Sequence, residues 1–304
     1  MNKKIVIKII ICAFILTVLG LVLFYFYGND KLKGAIQLYS INIKKVPSYE
    51  QIRGEKIGFT CTGLYYDENE QLFYVGNIGK YKPEEKIFKA TIEIIDSNFE
   101  NIVGTIKLYD KYPNLKDIQG ITKDGNDNIW FCSPAENLIR LISKDGNEIS
   151  KISVKNPSGI AYDKEKKNLW VLTNKFLINY STEGEIIKKF FIKEKGQDQL
   201  YIDKNKILFT AGLDYSGDSY IYEVDKETGK YKIKYILKDS FAIEGISIID
   251  DNILILNDGY YHNAKVAENQ INYYSNKKWR MGENKNENSN SRNRLCWTIT
   301  CYIT

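Results

Sequence analysis

Histidine is almost absent from this 304-residue chain, where His262 stands alone. That excludes metal centres built from several imidazoles and leaves any serine–histidine–aspartate relay a single candidate base. The five cysteines (Cys12, Cys61, Cys132, Cys296 and Cys301) include no C-x-x-C pair, so neither a zinc ribbon nor a dithiol redox motif is present. Nor do they form a disulfide framework. A Cys61–Cys132 bridge is conceivable outside the cell, but two buried free thiols is the favoured reading. No G-x-S-x-G elbow and no phosphate-cradling glycine loop occurs. The formal charge of +5 comes from lysines scattered among aspartates and glutamates rather than gathered on a stripe, which argues against nucleic acid as a partner.

Aromatic residues are abundant, with 23 Tyr and 13 Phe. Together with Ile and Val they favour pleated, half-buried surfaces, so the composition leans towards sheet. One segment breaks that pattern. Lys3, Lys4 and Lys8 precede an uncharged apolar run from Ile9 to Tyr27, close to the roughly 20 residues that cross a bilayer as a helix. The run ends in Phe24-Tyr25-Phe26-Tyr27, suited to the headgroup level, and the lysines predict a cytoplasmic N-terminus. Bulky residues fill the place where a signal peptidase needs small ones, so the expectation is a retained signal anchor. Cys12, preceded by Ile9-Ile10-Ile11, reads as a lipid-facing apolar residue.

Beyond the anchor a phrase of the form x-G-(I/L)-x-x-D occurs five times, each followed by a polar turn and an apolar strand. The copies begin at Thr62, Gln119, Ser158, Asp198 and Glu244. Their second positions are Gly63, Gly120, Gly159, Gln199 and Gly245, and the fifth copy has one extra residue before its Asp. A period of about 40 built from short strands is the signature of a β-propeller, one four-stranded blade per repeat. The third repeat divides into Gly159–Asp163, Leu169–Thr173, Phe176–Tyr180 and Glu185–Phe191. The glycines fit a place where backbones crowd towards the axis, and the repeated Asp67, Asp124, Asp163, Asp203 and Asp250 fit turn caps. The last repeat supplies only three strands, and residues 34–43 are the expected outer strand that closes the ring. Five blades result, and the unmatched C-terminus leaves a sixth open.

The expected organisation is a basic stub (1–8), a transmembrane anchor (9–27), a linker with the ring-closing strand (28–58), an all-β propeller (59–276) and an atypical tail (277–304). The tail holds Arg280, Arg292 and Arg294, three of the chain's five arginines, and matches no repeat. It reads either as a disordered linker or as read-through in another frame.

Because the first two strands of a blade are antiparallel, the start of one and the end of the next share a rim. Thr62, Gln119, Ser158, Asp198 and Glu244 therefore join Asn77, Ser133, Asn174, Asn257 and Asp258 around one channel mouth. Tyr260, Tyr261 and His262 leave from the same rim. The expected site is this polar ring. His262 and Glu244 are its candidate catalytic groups, and calcium, a hard cation that takes oxygen ligands, is the ion it would suit.

At these residues the chain resembles the NHL, gluconolactonase-like and SdiA-regulated propellers, over roughly 59–276. The lactonase branch implies a divalent metal in the channel held by acidic and amide side chains, for which Glu244, Asn174 and Asp258 are the matching positions. Its Glu-Gly-Pro opening is missing, and Thr62 stands at the first rim position. The lyase-like branch needs a placed histidine, which only His262 supplies. The expectation is thus a membrane-anchored, extracytoplasmic binding module for a small ligand or an envelope protein. The alternative is a metal-dependent hydrolase, lactonase or lyase working at the channel mouth.

Overall fold

The computed structural model describes Thr17 and residues 46–79, 89–194, 196–203, 205–211, 217–258 and 269–275. The first described strand, β1 (Ser48–Ile57), is set aside until the ring closes. Blade 1 then comprises β2 (Cys61–Asp67), β3 (Leu72–Asn77), β4 (Thr91–Asp96) and β5 (Ile102–Lys107), followed by a one-turn helix α1 (Leu108–Lys111). Blade 2 holds β6 (Ile121–Lys123), β7 (Ile129–Ser133), β8 (Leu138–Ile142) and β9 (Glu148–Ser153). Blade 3 holds β10 (Pro157–Asp163), β11 (Asn168–Thr173), β12 (Phe176–Tyr180) and β13 (Ile186–Phe191). In blade 4 the strands are β14 (Gln197–Asp203), β15 (Lys206–Ala211), β16 (Ser219–Asp225) and β17 (Tyr231–Leu237). Blade 5 contributes β18 (Gly245–Ile249), β19 (Asn252–Asn257) and β20 (Asn269–Ser275).

Each blade is an antiparallel meander, and the first strands touch in a closed circuit: β2 on β6, β6 on β10, β10 on β14, β14 on β18, and β18 back on β2. That circuit is a five-bladed β-propeller, and it leaves no gap for a sixth blade. The repeated glycines make the close approach possible. A Cβ on Gly120 would stand 2.8 Å from both Ser158 O and Ile160 N, and one on Gly159 2.8 Å from Leu200 N. One on Gly63 would meet Gln119 O at 2.8 Å, and one on Gly245 the Leu64 Cβ at 2.5 Å. Each glycine thus abuts the phrase of the next blade.

The blades pack face to face, and strand alternation sends successive side chains of each second strand into different cores. Ile129 and Phe131 pack with Tyr74 and Ile92 of blade 1, whereas Trp130 and Cys132 pack with Ile160 and Leu169 of blade 3. Leu208 faces blade 5 while Ile207 and Phe209 face Trp170 and Leu172 of blade 3. Leu254 and Leu256 close the ring against Leu64 and Phe73. This is why the second strands read as nearly unbroken apolar runs: both faces are buried.

The ring closes from the N-terminal side, within 28–58 as expected, but through a later stretch than 34–43. The outer strand of blade 5 is β1, paired antiparallel with β20 from Glu50↔Ser275 to Ile57↔Asn269; residues 34–43 lie outside the described residues. Outer strands are solvent-facing, so they need little apolar content. β1 is charged and half exposed, as β9 and β13 are largely exposed. Its first residues also pair parallel with β17, Ser48↔Ile236 and Tyr49↔Leu237, which joins blades 4 and 5 into one eight-stranded sheet.

No described helix is long and apolar enough to cross a membrane. The anchor segment 9–27 and the tail 277–304 lie outside the described residues.

Candidate functional site

The channel has two ends, one at the starts of the inner strands and one at the turns that follow them. The strand-start end was the expected site, and five of its ten strand-end residues are turned to local bonding. Asn77 Oδ1 accepts the Gly79 amide at 2.8 Å, and Ser158 Oγ donates to Leu172 O at 3.5 Å. Asn257 Nδ2 donates to Ser240 O at 2.7 Å, and Ser133 Oγ to Asp117 Oδ1 at 2.9 Å. Asp198 accepts from Gln199 Nε2 at 3.5 Å. Thr62 is buried with a hydroxyl that makes no hydrogen bond, and Gln119 is half-buried. Tyr260, Tyr261 and His262 lie outside the described residues.

Glu244 and Asp258 are each only 1 % exposed. Both lie close to Cys61, whose thiol donates to Asn257 O at 3.1 Å. Burial, followed by the charges of Asp258 and Glu244, holds that thiol well above its ordinary pKa. Cys132 is held up in the same way by burial and then by Asp117 and Asp198. Both thiols are free and buried, so the Cys61–Cys132 bridge is not formed; the two sit in different inter-blade cores. Asp117 is a rim carboxylate that the sequence reading missed. Burial raises its pKa despite bonds from Ala135 N and Ser133 Oγ. It precedes the second phrase by two residues, outside the repeated pattern that directed attention to Gln119.

Of the three expected metal ligands, Glu244 and Asp258 are brought together by burial around Cys61. Asn174 is exposed at the tight turn after β11. Two buried carboxylates fit the donor chemistry of a hard cation; Asn174 does not share their environment. A cavity at this end, beside Asp198, Thr210 and Ser219, has a volume of about 10 Å³, which is room for a single water.

The turn end is organised by charge. Lys123, 1 % exposed, places its ammonium 2.5 Å from Asp67 Oδ2, 3.1 Å from Glu70 Oε2 and 3.2 Å from Asp127 Oδ1. Those three carboxylates are the one group among the described residues that gathers as metal ligands do, and the ammonium already occupies its centre. Tyr74 Oη donates to Glu70 at 2.6 Å, Lys144 bonds the same carboxylate, and together with Lys123 they lower the Glu70 pKa to about 2. Lys226 of blade 4 likewise reaches Asp163 of blade 3 at 2.6 Å. Asp67, Asp124 and Asp163 also cap their turns through backbone amides, as expected from the phrase. Asp250 departs from them: it takes a left-handed backbone, φ 47°, in the turn that carries the extra residue.

Within this end opens a cavity of about 410 Å³. It is lined by the phrase residues themselves, among them Tyr65, Tyr66, Tyr162 and Tyr201, all half-buried. The sequence reading passed over it because it weighed the residues before each glycine and assigned those after it to scaffold. The signal available was tyrosine recurring in the two variable positions before the repeated Asp.

No family model and no curated protein matches the chain. Among solved structures, the luciferin-regenerating enzyme aligns at 9% identity with a TM-score of 0.49, covering 73% of this chain and 95% of that one. The nidogen/laminin complex aligns at 14% identity and TM-score 0.49, covering 69% and 82%. Virginiamycin B lyase from Staphylococcus aureus aligns at 15% identity and TM-score 0.43, covering 67% of each chain. A streptogramin B lyase structure is covered over 65% of its length, just under two thirds. The five-bladed assignment rests on the closed circuit of inner strands described above.

Proposed function

We propose that this chain is a membrane-anchored, extracytoplasmic β-propeller that binds a small ligand or an envelope protein in its channel without turning it over. The observation that carries this reading is the 410 Å³ cavity at the turn end, a size typical of small-ligand sites. Its tyrosines supply broad, stiff contact surfaces with polar tips, well suited to recognition. The anchor rests on the apolar run 9–27 and its preceding lysines. Alkaline phosphatase fused at the C-terminus reports the topology: activity in intact cells is expected, and its absence removes the extracytoplasmic placement. For binding, Tyr162→Leu is expected to abolish or weaken thermal stabilisation by any ligand that the wild-type chain captures.

The second reading, a calcium-dependent hydrolase or lyase, is favoured by the burial of Glu244 and Asp258 together. If it holds, Glu244 and Asp258 bind the ion, which would polarise a substrate oxygen. Equilibrium dialysis should then show one calcium per chain, lost in Glu244→Gln and Asp258→Asn. A chain that takes up no calcium, and hydrolyses nothing in a lactone and ester panel, ends this reading.

A further inference from the structure

We infer that the turn-end cavity recognises an organic cation, a small molecule carrying an alkylated ammonium group, held among Tyr65, Tyr66, Tyr162 and Tyr201. This names the ligand class for the binding reading above and rests on it. Four tyrosines, from blades 1, 3 and 4, are among the residues that line the cavity. Aromatic faces carry negative potential and attract cations, most strongly when the ion has shed its water. An alkylated ammonium sheds water easily and covers a ring with methyl groups, whereas a metal ion does neither.

The charge around the mouth agrees. Glu68 and Glu165 line it as exposed carboxylates, and among the described residues Lys164 is the one lining cation. Asp163 lines it too, but its charge is met by Lys226. Among the described lining residues the exposed carboxylates thus outnumber the lysine two to one, on a chain whose formal charge is +5. The tyrosine hydroxyls register the same field. Burial first, then neighbouring carboxylates, raise their pKa values: Asp250 and Glu68 at Tyr66, Asp67 and Glu68 against the opposing Lys123 at Tyr65, Asp124 and Asp163 at Tyr162. The rings stay neutral and keep their negative faces at any physiological pH. The cavity volume exceeds what a trimethylammonium group fills, so the natural ligand carries a further polar portion. Glu68, Glu165 and Lys164 stand where they would meet it.

Calorimetric titration of the full chain with choline and with its neutral carbon isostere, 3,3-dimethylbutan-1-ol, tests the inference. Choline should bind saturably, and the isostere at least about tenfold more weakly. Tyr66→Leu and Tyr162→Leu should each weaken choline by roughly threefold to tenfold, and Glu68→Gln by a smaller factor that shrinks in high salt. Equal binding of choline and its isostere overturns the cation assignment. So does the absence of choline binding where neutral sugars (glucose, N-acetylglucosamine, cellobiose) bind and Tyr162→Leu abolishes them; in that case the binding reading survives and only the ligand class falls. No binding by any of these probes, with the variants and wild type equally stable, overturns both.

Discussion

The two ends of the channel are built from the same five phrases yet differ in kind. At the strand-start end backbone meets backbone around the glycines, thiols and carboxylates are buried, and the cavity beside Asp198, Thr210 and Ser219 is about 10 Å³. At the turn end the phrases diverge, side chains replace backbone as the lining, and about 410 Å³ opens. Crowding explains the difference. Where inner strands converge closely enough to forbid a Cβ, the cavity beside Asp198 has room for no more than a water. Where turns splay outward, each blade can present a large side chain. Buried charges follow suit: the strand-start acids are penalised by burial, as at Asp117, while at the turn end lysine ammoniums and turn amides outweigh burial and hold Asp67 and Asp163 below their ordinary range.

The contrast breaks most easily at Lys123. Lys123→Ala leaves Asp67 buried opposite Glu70 with no cation between them, and a loss of about 3–5 kcal/mol in urea unfolding is expected. A loss below 1 kcal/mol would show that water replaces the ammonium. Next in size is Gly159→Ala at the crowded end, expected to cost about 1–3 kcal/mol because the added methyl meets backbone that cannot yield. Gly125→Ala at the open end meets nothing within 4 Å and should stay within about 0.5 kcal/mol. Equal effects at the two glycines would erase the distinction.

Acid titration separates the ends by sign. Glu70 is depressed to about 2 in the folded chain from an ordinary 4.5, so its contribution is complete above 4.5 and fades as pH falls towards 2. Asp117 is raised, so the folded chain binds its proton first and gains stability as pH falls through its folded pKa. Melting temperatures of Glu70→Gln should therefore lose part of the wild-type fall below pH 4.5. Those of Asp117→Asn should lose a small rise at higher pH. Identical profiles would show that neither group is coupled to folding. The smallest effect is a null one: Cys61 and Cys132, buried and held as thiols, should resist alkylation at pH 8 in the native chain and react after unfolding, as peptide mapping would show.

Much of the scaffold is legible in residue order. The glycine of each phrase marks the crowded axis, the Asp marks a turn, and the apolar runs in NIWFCS, NLWVLT and NILILN mark strands buried on both faces. That the segment before the first blade closes the ring was legible, but its exact stretch was not, because an outer strand is written in polar residues and is chosen by its fit to β20 rather than by its own pattern. The candidate site was half legible. Glu244 and Asp258 stand out at phrase boundaries, but nothing in the order of residues says that they are buried, that Asn174 is not, or that Asp117 joins their end.

Repeat spacing and the identity of the glycines suffice for a ring of blades, because both reflect local constraints: the length of a four-stranded meander and the absence of room for a Cβ. Where the 410 Å³ cavity opens, and where a lysine ammonium sits among three carboxylates, are settled only when the blades are brought together. Those outcomes depend on distances between residues tens of positions apart, such as Lys123 and Asp67 or Cys61 and Asn257.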